Sequence, residues 1–137
     1  MPLTGWPRAY VERPHGDLRA AAEEVATLAA RKLRCEYRAV ERARSWPCPQ
    51  LRVDSGKEAM IVSVRPYWHG ISVLVAPLQG WSLLDAFRGK ERGTASALQS
   101  LCEQIHSVLL EIPDVGGIRW YLKGAKESVG TPDELPW

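Results

Sequence analysis

The sequence predicts an α+β domain: a mostly antiparallel sheet of four to five strands covered by two main helices, in the order α-β-β-β-β-α-β. Two stretches, residues 18–33 and 95–111, carry apolar side chains at helical spacing. Between them, residues 59–77 alternate β-branched and polar residues more densely than any other part of the chain. A shorter alternating segment, residues 118–122, follows the second helix. Strands gathered between helices, instead of alternating with them, belong to sheets with helices on one side.

The 137 residues suit a single domain over 1–137, and the balance of 45% hydrophobic and 25% charged residues is that of a chain able to bury its own core. Residues 1–16 hold three prolines and two glycines and read as an irregular N-terminal arm, in which residues 6–11 can lie extended on the body. Asp17 is a good N-cap for the first helix. Leu18, Ala22, Val25, Leu28, Ala29 and Leu33 form its apolar stripe, and its alanines permit close packing on a sheet.

Residues 35–44 fit either a polar first strand, with Tyr37 and Ala39 on one side, or an extension of that helix. Trp46-Pro47-Cys48-Pro49 is expected to break either one. Leu51-Arg52-Val53 reads as a short strand, followed by a turn at Asp54-Ser55-Gly56-Lys57. The central hairpin places Met60, Val62 and Val64 on one face, with Ile71, Val73 and Val75 on the return. Its turn, Tyr67-Trp68-His69-Gly70, ends in a residue with the freedom a tight loop requires.

Residues 78–93 read as a long connection, with a fifth strand or a single helical turn as alternatives, and connections of this length are often functional. Thr94 is the expected N-cap of the second helix. Leu98, Leu101, Cys102, Ile105, Val108, Leu109 and Ile112 make its apolar face, and Pro113 stops it. Ile118, Trp120 and Leu122 share a face of the last strand. In the C-terminal tail, residues 124–137, Thr131-Pro132-Asp133-Glu134 has the form of a capping box with proline at the first helical position, which predicts one helical turn.

Composition excludes more functions than it suggests. The net charge is only +2, although residues 31–52 hold seven basic groups against two acidic ones. That run reads as a solvated face, with an anionic partner as the sharper alternative. Three cysteines without a CxxC pair suit reduced thiols and a cytoplasmic location. The N-terminal residues lack the pattern of a signal peptide, and no apolar run approaches a membrane span.

The spacings of phosphate loops, dinucleotide folds, zinc proteases and serine hydrolases do not occur. Cys102 and His106 share a helix face but read as a core cysteine beside a helix-edge histidine, and no second pair completes a metal site. His69 reads as a surface turn residue, with a general base beside Asp85 as the catalytic alternative. Cys48, between prolines, has no neighbouring histidine to activate it. Gly89-Lys90-Glu91-Arg92-Gly93 reads as a plain loop ahead of a helix, with anion docking as the alternative. No cofactor, metal or catalytic residue is therefore expected.

The stronger signal is aromatic. The chain has six tryptophans, and large rings concentrate binding energy at interfaces. Tyr67, Trp68, His69, Trp81, Asp85, Phe87 and Arg88 are the candidate partner-binding residues. The short α+β domain without a catalytic motif, with Gly117-Ile118-Arg119-Trp120-Tyr121 as a last strand and Thr131-Pro132-Asp133-Glu134-Leu135-Pro136-Trp137 as its tail, resembles the small bacterial immunity proteins of polymorphic or contact-delivered toxin systems. The resemblance implies a non-catalytic protein that neutralises a cognate toxin or effector by binding it. Many such proteins are acidic and this one is not, which suits a target with an acidic face. The alternatives are a nucleic-acid module built on residues 31–52 and a small enzyme using His69 and the 80–93 loop.

Overall fold

A computed structural model describes residues 6–12, 17–42, 45–55, 58–67, 69–77, 90–112, 116–122 and 128–135. It is an α+β fold, in which a six-stranded, wholly antiparallel sheet carries two long helices on one face. The elements are β1 (Pro7–Glu12), α1 (Leu18–Leu33), β2 (Glu36–Arg42), β3 (Ser45–Ser55), β4 (Glu58–Tyr67), β5 (Gly70–Pro77), α2 (Lys90–Leu110) and β6 (Ile118–Leu122), closed by a 3₁₀ turn at Pro132–Glu134. From α1 onward this is the expected order; β1 is the addition. The strands lie in the order β2-β3-β4-β5-β1-β6.

The expectation of an irregular N-terminal arm is corrected for residues 7–12. They form an interior strand, paired on one side with β5 and on the other with β6. Ala9 and Val11 alternate with Arg8 and Tyr10, so one side of the strand enters the core. Pro7 is tolerated as the first strand residue. Two apolar residues in six were too weak a periodic signal against the prolines and glycines around them.

Helix α1 begins where expected. The Asp17 carboxylate accepts a hydrogen bond from the Arg19 N–H at 2.9 Å. The helix ends at Arg34, which adopts a left-handed conformation with φ 53° while its N–H returns to the Ala30 carbonyl. Its buried face is made of Ala21, Ala22, Val25, Ala26 and Ala29. Leu28 and Leu33 lie at the margin of that face, only partly buried. Small side chains let the helix axis approach the sheet closely.

Residues 35–44 resolve as a strand over Glu36–Arg42. The expected break at Trp46-Pro47-Cys48-Pro49 is corrected: β3 runs through both prolines. Its pairing with β4 begins only at Gln50, so the proline half has β2 as its single ladder partner. A strand paired on one side has positions where a missing N–H costs little. The second helix is also corrected. It starts at Lys90, so Thr94 lies inside it and residues 90–93 are helical instead of loop. Gly93 disfavours that first turn by about 1 kcal/mol relative to alanine. This is less than tertiary packing of the apolar face can supply.

The core joins Ala9, Val11, Leu51, Met60, Val62, Val64, Ile71, Val73, Val75, Trp120 and Leu122 of the sheet to Leu98, Leu101, Cys102, Ile105, Val108 and Leu109 of α2 and the alanine face of α1. Trp120 is fully buried and its indole N–H donates to His106 Nδ1 at 3.0 Å. The Trp120 backbone exchanges two 2.8 Å hydrogen bonds with Val129, which ties the tail to the β6 edge. The expected helical turn is the 3₁₀ turn. Glu134 Oε2 accepts from the Gly130 and Thr131 N–H groups at 3.1 and 3.3 Å, completing the capping box.

Candidate functional site

In an antiparallel sheet, alternate residues point to opposite faces. Both helices cover the face that carries Ala9, Val11, Val64, Val73 and Trp120. The intervening residues therefore point to the other face. The register places Arg119, Tyr10, Ser72 and Arg65 in one row across β6, β1, β5 and β4. A second row holds Tyr121, Arg8, Leu74, Ser63 and Gln50. Arg52, Arg65 and Arg119 are exposed there, and the Gln50 side chain donates to Ser63 Oγ at 3.3 Å. Glu12 is the one carboxylate on this face among the described side chains. A basic sheet surface edged by tyrosines results.

The central hairpin closes one end of that surface. Tyr67, 42% exposed, ends β4, and His69 is exposed in the turn. Gly70 begins β5, and an added side chain there would collide with the Val11 carbonyl oxygen and lie 3.0 Å from the tip of the Tyr10 ring. The phenol of Tyr10 thus rests where a side chain at 70 would stand. It meets Tyr67 edge to face, with centroids 6.2 Å apart and planes at 86°. Glycine is required here for close approach, and the contact braces the hairpin against β1. At this same end of β1, the Gly116 N–H donates to the Glu12 carbonyl at 2.7 Å.

Of the residues expected to bind a partner, Tyr67 and His69 stand together at the hairpin end. Trp68, Trp81, Asp85, Phe87 and Arg88 lie outside the described residues, as do the expected His69–Asp85 pairing, the Cys48 side chain and most of the 78–93 connection. Of the tryptophans, Trp120 is core and Trp6 is half-buried against it. Arg8, Tyr10, Arg65, Ser72, Arg119 and Tyr121 were missed by sequence reasoning. Their signal was present in the positions that alternate with core residues, but only the strand order brings them onto one surface.

The basic run of residues 31–52 is divided by the fold. Arg31 and Lys32 lie on the last turn of α1, on the helical side, whereas Arg52 is on the opposite face of the sheet. Lys32 pairs with Glu111 at 3.2 Å, bridging α1 to the end of α2. Beside it a shallow groove of about 330 Å³ is lined by Glu24, Thr27, Leu28, Arg31, Glu111 and Ile112. Its lining holds no histidine or cysteine.

Cys102 is fully buried, and burial pushes its thiol far above the usual range, with Glu103 adding to the effect. Burial likewise raises the Cys35 thiol, against the opposing influence of its own backbone. Neither is an activated nucleophile. His106 is held below its ordinary pKa by burial, which outweighs the opposite pull of Asp133. With Nδ1 accepting from Trp120, it is a structural acceptor. Among the described residues, no three metal-ligating side chains cluster and no helix is long and apolar enough to cross a membrane.

Comparison of the chain with protein-family models, with curated proteins and with solved structures found no match.

Proposed function

We propose that this chain is a non-catalytic binding protein, acting in the cytoplasm, that neutralises or adapts a partner protein. Within that class, an immunity protein inhibiting a cognate bacterial toxin is the reading its sequence resemblance favours. The observation that carries the proposal is the exposed Tyr67 ring, held by Tyr10 at the end of the central hairpin and continuous with the basic sheet face opposite α1 and α2. A braced aromatic ring loses little conformational entropy on binding, and tyrosine and arginine are the residue types that concentrate energy at protein interfaces. Such a protein acts by occlusion. Its affinity comes from surface complementarity, and it requires no step of bond making.

The test is co-expression with the product of the adjacent gene, followed by isolation of a stoichiometric complex and calorimetric titration. Replacement of both Tyr67 and His69 by alanine is expected to weaken the complex by about tenfold to a hundredfold, the range of one interface hot spot. An unchanged affinity shows that this surface is not the contact. Turnover of a substrate by the chain alone would reject the non-catalytic reading.

A further inference from the structure

We infer that the face of the sheet opposite α1 and α2 binds carboxylates of an acidic segment of the partner, an inference that rests on the binding-protein reading and names the chemistry its surface accepts. Three observations meet on this face. The first is charge. Arg8, Arg65 and Arg119 stand on three strands of one surface, with Glu12 as the opposing carboxylate among the described side chains. A surface on which positive charge predominates selects an acidic partner and speeds its approach.

The second is a pair of unsatisfied donors. Ser72, 1% exposed, has an enclosed hydroxyl with no hydrogen-bond partner, and Arg8 Nε is enclosed and without one as well. Both belong to the face opposite α1 and α2, and they are diagonal neighbours: Ser72 is opposite Tyr10 in the register and Arg8 opposite Leu74. Diagonal positions lie about 7–8 Å apart, within reach of a long side chain. A buried donor that lacks an acceptor is unfavourable, and an acceptor oxygen brought by a ligand relieves it. Both atoms are enclosed in the free chain, so an anion reaches them only as the side chains over them move aside, and it then supplies the acceptor that both lack.

The third is spacing. Arg119, Tyr10, Ser72 and Arg65 occupy four successive strands, so the two arginines bracket the donors across about 14 Å. That span suits carboxylates projecting from one short segment. Arginine holds a carboxylate by two parallel hydrogen bonds, and the neighbouring tyrosines supply contact area. A nucleic-acid strand fits less well. The Tyr10 ring is packed on Gly70 and Tyr67 instead of lying open to stack on a base.

The test uses the full chain labelled with nitrogen-15. It is titrated with a synthetic peptide of five Asp-Leu repeats, with the matching Asn-Leu peptide, and with a fifteen-nucleotide oligo-dT. The acidic peptide is expected to shift the amide signals of Arg65, Ser72 and Arg119 and the Arg8 Nε–H signal, the Asn-Leu peptide to leave them in place, and the double variant Arg65→Glu/Arg119→Glu to bind at least tenfold more weakly. Both arginines are exposed, and a thermal melt confirms that the variant remains folded. Shifts confined to other surfaces, or no shifts, overturn the inference, as does tighter binding of oligo-dT than of the acidic peptide. If the double variant retains full affinity for the natural partner, this face is excluded while the binding-protein reading stands. If the wild-type chain binds no partner protein, it is that reading that fails.

Discussion

Replacement of His106 by leucine tests how the tail, the last strand and the second helix are joined. Trp120 is wholly buried, and its indole N–H has His106 Nδ1 as acceptor at 3.0 Å. Leucine fills much of the imidazole volume but accepts no hydrogen bond, so the indole donor is left without a partner. A buried donor deprived of its acceptor costs about 1–3 kcal/mol. For a domain of this size about 2 kcal/mol lowers Tm by roughly 7 °C. The histidine also titrates. Its pKa in the folded protein lies below the ordinary 6.5, so between the two values the unfolded chain binds more protons than the native one. Stability from the neutral imidazole is therefore complete above pH 6.5 and is lost as pH falls through the folded-state value. Urea unfolding followed by circular dichroism, at pH 7.5 and at pH 5, checks both effects. The His106→Leu variant is expected to be less stable at pH 7.5, and the gap to wild type to narrow at pH 5. A second substitution, Trp120→Phe, removes the stranded donor, so the double variant is expected to lose less than the two single losses combined. Equal stability of His106→Leu and wild type at pH 7.5, or a gap independent of pH, would refute the assignment of His106 as a neutral acceptor.

Two further substitutions probe the scaffold beneath the proposed surface. Gly70→Ala forces a side chain against the Val11 carbonyl and the Tyr10 ring, and is expected to destabilise by about 1–3 kcal/mol, read as a lower urea midpoint. An unchanged midpoint would show that the hairpin is not pressed against β1. Arg34→Gly relieves a left-handed conformation at an exposed helix end and is expected to raise stability by about 0.5–1 kcal/mol, once the greater freedom of glycine in the unfolded chain is deducted. A fall in Tm of the same protein would show that the arginine contributes more by contact than it loses by strain.

The elements legible in the sequence are those whose signals lie close together in the chain. The Asp17 cap, the alanine-rich periodicity of α1, the apolar face of α2, the alternation through β4 and β5 and the Thr131–Glu134 capping box each need only a few consecutive residues. The misread elements answer to distant partners. Residues 7–12 become an interior strand because β5 and β6 supply ladders on both sides, and β3 continues through Pro47 and Pro49 because β4 has no pairing there. The early start of α2 overrides the glycine and threonine that mark a later one.

The candidate site divides along the same line. Tyr67 and His69 were legible because a turn between two alternating strands places its residues at an end of the sheet. The basic face was not, since Arg8, Arg65, Ser72 and Arg119 come from four segments and their neighbours in sequence are core residues. By itself the sequence determined the class of the fold, the two helices and the central hairpin, because caps and periodicity act through backbone geometry over one or two turns. Only the tertiary structure decided that residues 7–12 form a strand and that it lies between β5 and β6. Hydrogen-bond pairing and burial between remote segments choose those neighbours, and that choice turns scattered arginines and tyrosines into one surface.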